Sequence, residues 1–271
     1  MLQRCLSAFR ELTYPKDKFE IIVVNDGGPD CHETTASFHQ DLRLRIMTQE
    51  NAGPAAARNH GATLAEGRFL AFTDDDCAPH PEWLLHLEKT LLESEPCVAG
   101  GKTVNALSDN PYSATSQRIL DVVYGYYNAD PKAARFFASN NIACPAELFR
   151  TIGGFNRTFR TSEDREFCDR CLRAGFKLSY APDAVIFHSH ALDLKGLWIQ
   201  HYHYGKGAFH YHSARKQAGA TGLQIEKEFY RKLLISPFRD SIRSRWKSLL
   251  LLLSSQTANA FGYFAARLNR R

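Results

Sequence analysis

Short apolar runs alternate with segments of helical periodicity along the first two thirds of the chain. Apolar residues recur at helical spacing over Leu2–Leu12, whereas Phe19–Val24 is a β-branched run typical of a strand buried on both faces. A second strand is predicted over Leu42–Thr48, a small-residue helix over Ala52–Ala65, and a third strand over Phe69–Thr73. This alternation predicts an α/β fold with a doubly wound, mostly parallel sheet flanked by helices.

Further elements follow the same alternation as far as position 188. Helices are predicted over 31–40, 81–95, 146–152 and 163–174, and strands over 98–104, 141–143, 177–181 and 184–188. The pattern over 109–131 is not decisive. Ligands of such sheets bind beyond the carboxyl ends of the strands, where Asn25-Asp26 and Asp74-Asp75-Asp76 are predicted to lie.

The chain beyond Leu194 is predicted to be a helical, basic and aromatic extension. Residues 195–271 carry 14 Lys and Arg against 3 Asp and Glu, a net charge of +11, which leaves −6 for the rest of a chain whose total is +5. We therefore expect one α/β domain over 1–193 and an extension over 194–271. A basic extension on an acidic body favours an anionic partner.

The composition excludes a disordered chain and disfavours a disulfide scaffold. Of the 271 residues, 44% are hydrophobic and 23% are charged, which is ordinary for a globular protein. The seven cysteines are odd in number and scattered, and Cys168 and Cys171 lack the second CxxC pair of a structural zinc site. No apolar leader follows Met1, so we expect a cytoplasmic protein in a reducing compartment.

Three adjacent carboxylates, Asp74, Asp75 and Asp76, directly follow an apolar strand. Their mutual repulsion is costly unless a cation or hydrogen bonds compensate it. Mg²⁺ and Mn²⁺ are the hard divalent ions that carboxylates hold, so a metal site is favoured over an acidic surface loop. A phosphatase-type aspartyl nucleophile is a rival, but Cys77 follows Asp76 where the phosphatase motif would continue.

Asp26 and Arg58 are candidates for holding a nucleotide. The Asp26 carboxylate could accept hydrogen bonds from a base or a ribose, or form an Asx-turn in its Asn-Asp-Gly setting. The planar guanidinium of Arg58 suits a phosphate or a base, and it equally suits a surface salt bridge. These segments alone leave both alternatives open.

Glu163 and Asp164 lie at the predicted start of a helix, where free N–H groups and the helix dipole stabilise a carboxylate. This position predicts a lowered pKa, as suits a base that is ionised at neutral pH. Plain capping of the helix by Ser162 and Glu163 is the alternative. His188 is a candidate metal ligand after the last strand, although a solvent-facing pair with His190 is the more frequent arrangement.

Several ordered blocks of sequence resemble the family 2 glycosyltransferases, which have the GT-A fold. These blocks are Phe19–Gly27, Asn51–Gly61, Phe69–Asp76, Gly153–Phe155 and Glu163–Gly175. Each block alone is degenerate, but their order and spacing are specific. The resemblance covers roughly the chain from Leu2 to His190.

The resemblance implies transfer of a sugar from a nucleotide-activated donor, such as a UDP- or GDP-sugar, to an acceptor hydroxyl with inversion of the anomeric carbon. Asp26 matches the aspartate that binds the nucleobase, and Arg58 matches an arginine near it. Asp164 matches the carboxylate that deprotonates the acceptor. The residues expected on the acceptor side are Glu163, Gly154 and Asn141.

The acidic triplet matches the family's DxD motif, as Asp74-x-Asp76. The resemblance implies that Asp76 ligates Mn²⁺ or Mg²⁺ bound to the donor diphosphate, where the metal stabilises the leaving charge. Asp74 and His188 are further candidate ligands, and Asp74 or Asp75 is expected to contact the ribose or the metal's surroundings. A glycosidase would instead use two opposed carboxyl groups.

Three departures from the family pattern affect these expectations. The usual first strand of the sheet is absent, which predicts a gap in the sheet and the loss of part of the nucleotide pocket. A nucleotide-sugar-binding relic without catalysis is therefore the second hypothesis, and a metal-dependent phosphohydrolase is the third. The QxxRW signature is absent, which favours transfer of a single sugar, and the missing GxGxR signature disfavours a nucleotidyltransferase.

The extension has an interfacial character. Trp198–Arg215 mixes aromatic, histidine and basic residues, which favours an aromatic-basic helix face over a four-histidine metal site or a nucleic-acid site. The apolar stretch Leu249–Ala266 contains too many polar residues for a spanning helix, so it is predicted to lie on a membrane or to pack in a core. Four cations precede it, Arg239, Arg243, Arg245 and Lys247, and they suit an anionic leaflet. We expect a glycan, a lipid-linked molecule or a cell-envelope molecule as the acceptor, and a cytoplasmic protein with a peripheral position at the inner membrane face.

Overall fold

The computed structural model describes residues 1–93, 96–220, 226–239 and 242–269. The last two positions of the helix predicted over 81–95 lie outside these residues. The helices are α1 (Leu2–Arg10), α2 (His32–Thr35), α3 (Pro54–Leu64), α4 (Trp83–Glu93), α5 (Pro111–Tyr127), α6 (Ala146–Ile152), α7 (Glu163–Arg173), α8 (Leu194–Gln217), α9 (Lys227–Ile235) and α10 (Ile242–Leu268). The strands are β1 (Ile21–Asp26), β2 (Leu44–Gln49), β3 (Phe69–Phe72), β4 (Cys77–Pro79), β5 (Cys97–Asn105), β6 (Ile142–Pro145) and β7 (Lys177–His188).

The chain forms two compact units. Unit 1 comprises Met1–Ala106 and Asp130–Ser189, and unit 2 comprises Leu107–Ala129 and His190–Arg271. Unit 1 contains all the described strands, whereas the described elements of unit 2 are helical. The segment whose sequence pattern was not decisive forms α5, which belongs to unit 2 although α5 lies in the middle of the chain.

The strands of unit 1 form two separate sheets. β1 and β2 pair in parallel, with Ile21 opposite Leu44 and Asp26 opposite Gln49. The other sheet has the order β3-β6-β5-β7-β4. Among the described strands β1 pairs with β2 alone and β3 pairs with β6 alone, so each leaves one edge without a strand partner. The described strands of unit 1 thus form two sheets rather than one continuous sheet.

The fold class is α/β, as predicted, but the sheet is mixed rather than mostly parallel. β6 runs antiparallel to both β3 and β5, and β4 runs antiparallel to β7. Only the pairs β1/β2 and β5/β7 are parallel among the described strands. Alternation of strands and helices indicates crossover connections, but the chain reaches β6 only after it has passed through α5 in unit 2. The direction of β6 therefore depends on a long connection that local patterns do not encode.

β7 is one continuous strand, although Pro182 predicted two strands. Its register against β5 shifts, since Ala181 pairs with Gly101 and Val185 pairs with Lys102. The residues between the two pairs bulge out of the ladder, where the missing N–H of proline costs no hydrogen bond. The strand therefore continues to His188.

The core of unit 1 forms where α1 and α4 pack against the sheets. Leu6 from α1, Trp83 and Leu87 from α4, and Ile186 from β7 are all buried in one cluster. The rings of Phe9 and Trp83 meet edge to face, with their centroids 6.0 Å apart. Full burial of side chains of this size contributes about 1.5–3 kcal/mol each. This packing holds β4 and β7, the two strands that carry the candidate site.

In unit 2, α8 and α10 pack closely along small residues. A Cβ atom on Gly205 would lie 1.9 Å from the Asn259 carbonyl oxygen, and one on Gly262 would lie 1.9 Å from the Tyr202 carbonyl oxygen. The two helix backbones can approach this closely only because both positions are glycine. Within the part of the chain that the structure describes, no helix is both long and apolar enough to cross a membrane.

Candidate active site

The acidic triplet lies between β3 and β4. The register of β4 against β7 determines which side chain lies next to Asp76, the last residue of the triplet. Cys77 pairs with His188 across the antiparallel β4/β7 ladder, which brings the side chain of His188 to that of Asp76. The Nε2 atom of His188 lies 3.1 Å from Oδ2 of Asp76, and Sγ of Cys77 lies 3.5 Å from Oδ1 of Asp76. The ligand atoms of these three residues all lie within 4.8 Å of one another.

This cluster of Asp76, Cys77 and His188 fits a divalent cation. A carboxylate oxygen suits Mg²⁺ and Mn²⁺, and an imidazole nitrogen suits transition-metal ions. Asp76 and His188 were both predicted as ligands, and the structure brings them together. Sequence reasoning missed Cys77, although its position next to the triplet and opposite His188 was the available signal. Asp74, also predicted as a ligand, is not part of the cluster that the described residues form.

Arg58 joins the triplet to the start of α7. Its Nη2 donates to Oδ1 of Asp74 at 2.6 Å, and its Nη1 donates to Oε1 of Glu163 at 2.9 Å. The Arg58 side chain is 12% exposed. Burial opposes its charge, but the attraction of Asp74 and Glu163 outweighs burial and raises the pKa of Arg58. Both terminal nitrogens of Arg58 therefore bind protein carboxylates, in a largely buried pair of salt bridges rather than at the surface, and a role in nucleotide binding stays a prediction.

Asp164 is held beside Glu163 in the first turn of α7. The Asp164 carboxylate accepts hydrogen bonds from the Arg165 backbone N–H at 2.7 Å and from the Ser139 backbone N–H at 3.3 Å. The Ser139 hydroxyl in turn donates to Glu163 at 3.2 Å. Ser139 thus contacts both acidic side chains, and no sequence motif had indicated it.

The pKa of Asp164 is raised to about 7, whereas its position at a helix start predicted a lowered value. Burial is the main cause and repulsion from Glu163 is the second; the N–H groups of Arg165 and Ser139 and the charge of Arg58 oppose them incompletely. The sequence-based expectation was wrong because the helix N-terminus acts on a carboxyl group that the fold buries next to another one.

Ser162 precedes α7 in the left-handed region, with φ at 66°. Among the described residues it is the only non-glycine with a positive φ. Its side chain makes no capping hydrogen bond, so the plain capping alternative does not describe this helix start. Such backbone strain is retained where the surroundings force it, often at functional sites.

Asp26 ends β1 and anchors the loop that precedes α3. Its Oδ1 accepts from Gln49 Nε2 at 2.7 Å and from the Ala52 N–H at 2.8 Å, and its Oδ2 accepts from the Gly53 N–H at 2.8 Å. Burial opposes the charge, but these hydrogen bonds outweigh it and lower the pKa of Asp26. The carboxylate is therefore ionised and already bound to protein donors.

Asp75 lies between two charged neighbours, and its pKa is raised. Burial is the largest cause, followed by repulsion from Asp76 and then from Asp74. A cation bound at the triplet would relieve this repulsion, as expected for a carboxylate cluster of this kind.

Two residues predicted on the acceptor side have structural roles. Asn141 is fully buried; its side chain accepts from Trp83 Nε1 at 2.8 Å and donates to the carbonyl oxygens of Ala184 and Lys102 at 2.9 and 3.1 Å. In this structure the Asn141 side chain thus binds protein groups, and its place on the acceptor side stays a prediction. Gly154 has φ at 68°, and a Cβ atom there would lie 2.6 Å from Oδ1 of Asn59. This close approach lets the loop dock on Asn59.

The family model "Glycosyl transferase family 2" matches residues 1–162, more than half of the chain. The chain belongs to this family. The resemblance stated from the sequence is therefore confirmed, and the matched region contains the triplet and Arg58. The block Glu163–Gly175, which carries Asp164, and the later residue His188 lie outside the matched region.

Curated relatives support the same assignment. The chain is 29% identical over 197 residues to "Glycosyltransferase AglE" of Haloferax volcanii, which covers 69% of this chain and 62% of the relative. It is 28% identical to "Pre-mycofactocin glycosyltransferase" of Mycobacterium tuberculosis, over 71% of this chain and 42% of the relative. The chain thus spans about half the length of these curated relatives.

Solved structures of similar fold confirm the GT-A-like fold class. The mannosyltransferase PcManGT from Pyrobaculum calidifontis, in complex with GDP-Man and Mn²⁺, matches all of this chain and 76% of its own, with a TM-score of 0.63 at 18% identity. S. aureus TarS 1-349 in complex with UDP-GlcNAc matches 99% of this chain and 87% of its own, with a TM-score of 0.55 at 15% identity. At this identity the likeness concerns the fold.

Proposed function

We propose that this family 2 chain transfers a single sugar from a nucleotide-sugar donor to an acceptor hydroxyl, with inversion of the anomeric carbon. The observation that carries the proposal is the pair of separate carboxylate centres in unit 1. Asp76 and His188 form one, Asp164 belongs to the other, and Arg58 connects the two through Asp74 and Glu163. One centre suits a cation and the other suits a base.

Asp76 and His188 are the residues that would hold Mn²⁺ or Mg²⁺. When bound, such an ion supplies charge stabilisation for the diphosphate that leaves the sugar. Arg58 keeps Asp74 in place beside this centre and neutralises part of the negative charge of the triplet. The Mn²⁺ bound together with GDP-Man in the mannosyltransferase complex supports this assignment.

Asp164 is the proposed base. In its ionised form it takes the proton of the acceptor hydroxyl while that oxygen attacks the anomeric carbon, and the bond from this carbon to the nucleoside diphosphate breaks. A general base positioned in this way contributes about 10²–10⁴-fold to the rate. Glu163, paired with Arg58 and Ser139, holds the first turn of α7 and sets the local charge.

For the donor we propose a UDP- or GDP-sugar, because the solved neighbours carry UDP-GlcNAc and GDP-Man. The proposed acceptor is a glycan, a lipid-linked molecule or a cell-envelope molecule. A relative from Methanococcus voltae, 24% identical over 88% of this chain, is named for transfer to a dolichyl-linked sugar phosphate, which favours the lipid-linked class. An anionic inner membrane face is then the proposed setting, with unit 2 as the part that meets it.

Calorimetric titration of UDP and GDP, with and without Mn²⁺, tests the proposal. We expect the protein to bind one of the two nucleotides, and to bind it more tightly when Mn²⁺ is present. The Asp76→Asn variant should lose this effect of Mn²⁺. Asp183→Asn is the matched control, because Asp183 is an exposed carboxylate on the same strand as His188. It should bind like the wild type.

Two results would contradict the proposal. Nucleotide binding without transfer to any acceptor hydroxyl, in a folded chain, would indicate a binding relic with an interrupted sheet. Phosphate release from simple esters without an acceptor, lost in Asp76→Asn, would indicate a phosphohydrolase.

A further inference from the structure

Large apolar side chains are exposed mainly on unit 2. Among the described residues 19 such side chains are exposed, and 14 of them belong to unit 2, which holds fewer than half of the residues. Single exposed apolar residues are ordinary, but a concentration of them marks an interaction surface. The position of this surface on unit 2 can be read from α10.

Helix α10 carries its large apolar side chains on the exposed face and mostly small side chains on the buried face, the reverse of a helix that faces water. Its buried face is lined largely by small side chains, since Ser255 and Ala258 are fully buried and Gly262 contacts the α8 backbone. Its exposed face carries large apolar side chains at helical spacing, which we call the α10 stripe. The α10 stripe consists of Trp246 (63% exposed), Leu250 (67%), Leu253 (44%), Phe261 (61%), Phe264 (56%) and Leu268 (67%). These positions lie on one side of a helix about 40 Å long.

The α10 stripe continues onto α8. The ring of Trp198 lies 6.3 Å from that of Phe261, centroid to centroid, and Trp198 is itself 38% exposed. Ile199, the next residue on α8, is exposed as well. The apolar surface therefore spans two packed helices and includes aromatic side chains of the kind that lie at a membrane interface.

The charges on these two helices are all positive. The segments Leu194–Gln217 and Ile242–Leu268 contain eight Lys and Arg residues and no Asp or Glu. A second copy docked on the α10 stripe would bring two helix pairs of like net charge together, at an electrostatic cost. An anionic lipid surface complements the same charges and accepts the apolar side chains.

We propose that α10 lies in the plane of an anionic bilayer, with the α10 stripe in the boundary between headgroups and acyl chains. Among the described helices none is suited to span the bilayer, and a helix with one large apolar face and basic ends is suited to lie on it. This inference deepens the proposed function and rests on it, because it names the surface that would bring unit 1 to a lipid-linked acceptor.

Co-sedimentation of the full chain with lipid vesicles tests the inference. We expect binding to phosphatidylcholine vesicles that contain phosphatidylglycerol, weaker binding to phosphatidylcholine alone, and weakening with added salt. Tryptophan emission should shift to the blue on binding through the exposed Trp198 and Trp246, since the third tryptophan, Trp83, is already buried. Brominated lipids should quench Trp246.

Variants identify the surface. Phe261→Asp combined with Phe264→Asp should weaken vesicle binding by roughly tenfold or more, because two aromatic side chains no longer enter the bilayer. Leu250→Asp is a second variant at a separate turn of the stripe and should act in the same direction. Leu92→Asp is the matched control, since Leu92 is 57% exposed on α4 in unit 1, and it should bind like the wild type.

Several outcomes would overturn the inference. One is that the wild type does not bind anionic vesicles. Another is that the stripe variants bind these vesicles as tightly as the wild type does. A dimer of the wild type in the absence of lipid, lost in the stripe variants, would assign the surface to a second copy. The readout needs no catalysis, so Asp164→Asn should still bind vesicles. A failure here is thereby separate from a failure of nucleotide binding.

Discussion

The Asp164 carboxyl group shares the first turn of α7 with Glu163, and this neighbourhood sets its proton affinity. Burial and the negative charge of Glu163 raise its pKa to about 7, while Arg58 and two backbone N–H groups oppose them. A base with a pKa close to the operating pH is ionised for much of the time and still binds a proton well. Glu163 and Arg58 thus tune Asp164 although neither needs to contact the reacting atoms.

We expect the pH profile of kcat/KM for sugar transfer to rise with pH and to level off above about 7. Asp164, as the proposed base, works only when it is deprotonated, so activity should be lost as the pH falls through its pKa. In Glu163→Gln one repulsive charge is removed, so the midpoint should move to lower pH. The measurement is transfer rate against pH for the two proteins.

Glu147→Gln serves as the control, because Glu147 is an exposed carboxylate at the start of α6. Its midpoint should match that of the wild type. A midpoint that moves to higher pH in Glu163→Gln would show that Glu163 acts mainly through Arg58 rather than through repulsion of Asp164.

At the scale of elements, the packing of α8 on α10 depends on two glycines. The Cβ that alanine would add at Gly205 would meet the backbone of α10 at 1.9 Å, and backbone atoms cannot move aside as a flexible side chain can. A Cβ added at Gly125, on α5 of the same unit, would meet no neighbouring atom of the described residues within 4 Å. The same substitution therefore has opposite consequences at the two sites.

Gly205→Ala should lower the free energy of unfolding, by about 1–3 kcal/mol for overpacking. Gly125→Ala should raise it by about 0.5–1 kcal/mol, because alanine is the better helix former. Urea denaturation followed by helical ellipticity compares the two with the wild type. Equal stability of the two variants would argue against close contact between α8 and α10.

At the scale of the whole molecule, the cysteines are distributed as in a reduced protein. All seven are free thiols, and six of them are buried. Burial is the main reason that the pKa values of Cys5 and Cys171 are raised to about 12. Thiols in this state are poor nucleophiles, since the thiolate is the reactive form.

In the native chain we therefore expect one cysteine, Cys31, to react rapidly with a thiol-specific reagent, since it alone is not buried. All seven should react after unfolding in denaturant. Counting the reacted thiols by absorbance checks both numbers, and Cys31→Ser should remove the rapid phase. Rapid reaction of several thiols in the wild type would mean that the core opens readily.

Much of the fold could be predicted from local sequence. The alternation of β-branched runs with periodic segments placed β1, β2, β3, α3 and α7 within a few residues of their observed bounds. Local patterns specify backbone conformation and which face is apolar, so they succeed for elements. They did not determine the direction of β6 or the continuity of β7, because pairing depends on segments distant in sequence.

The sequence by itself determined which carboxylates stand at the strand and helix ends, and that the last part of the chain is basic and aromatic. Only the tertiary structure decided which of these groups meet. His188 reaches Asp76 across 112 positions, and Arg58 reaches Glu163 across 105. It also reversed the expected pKa shift of Asp164 and placed the Asn141 side chain in hydrogen bonds within the core. The physical reason is that the burial of a side chain and the charges around it depend on residues distant in sequence. A local pattern specifies only the conformation that the backbone prefers.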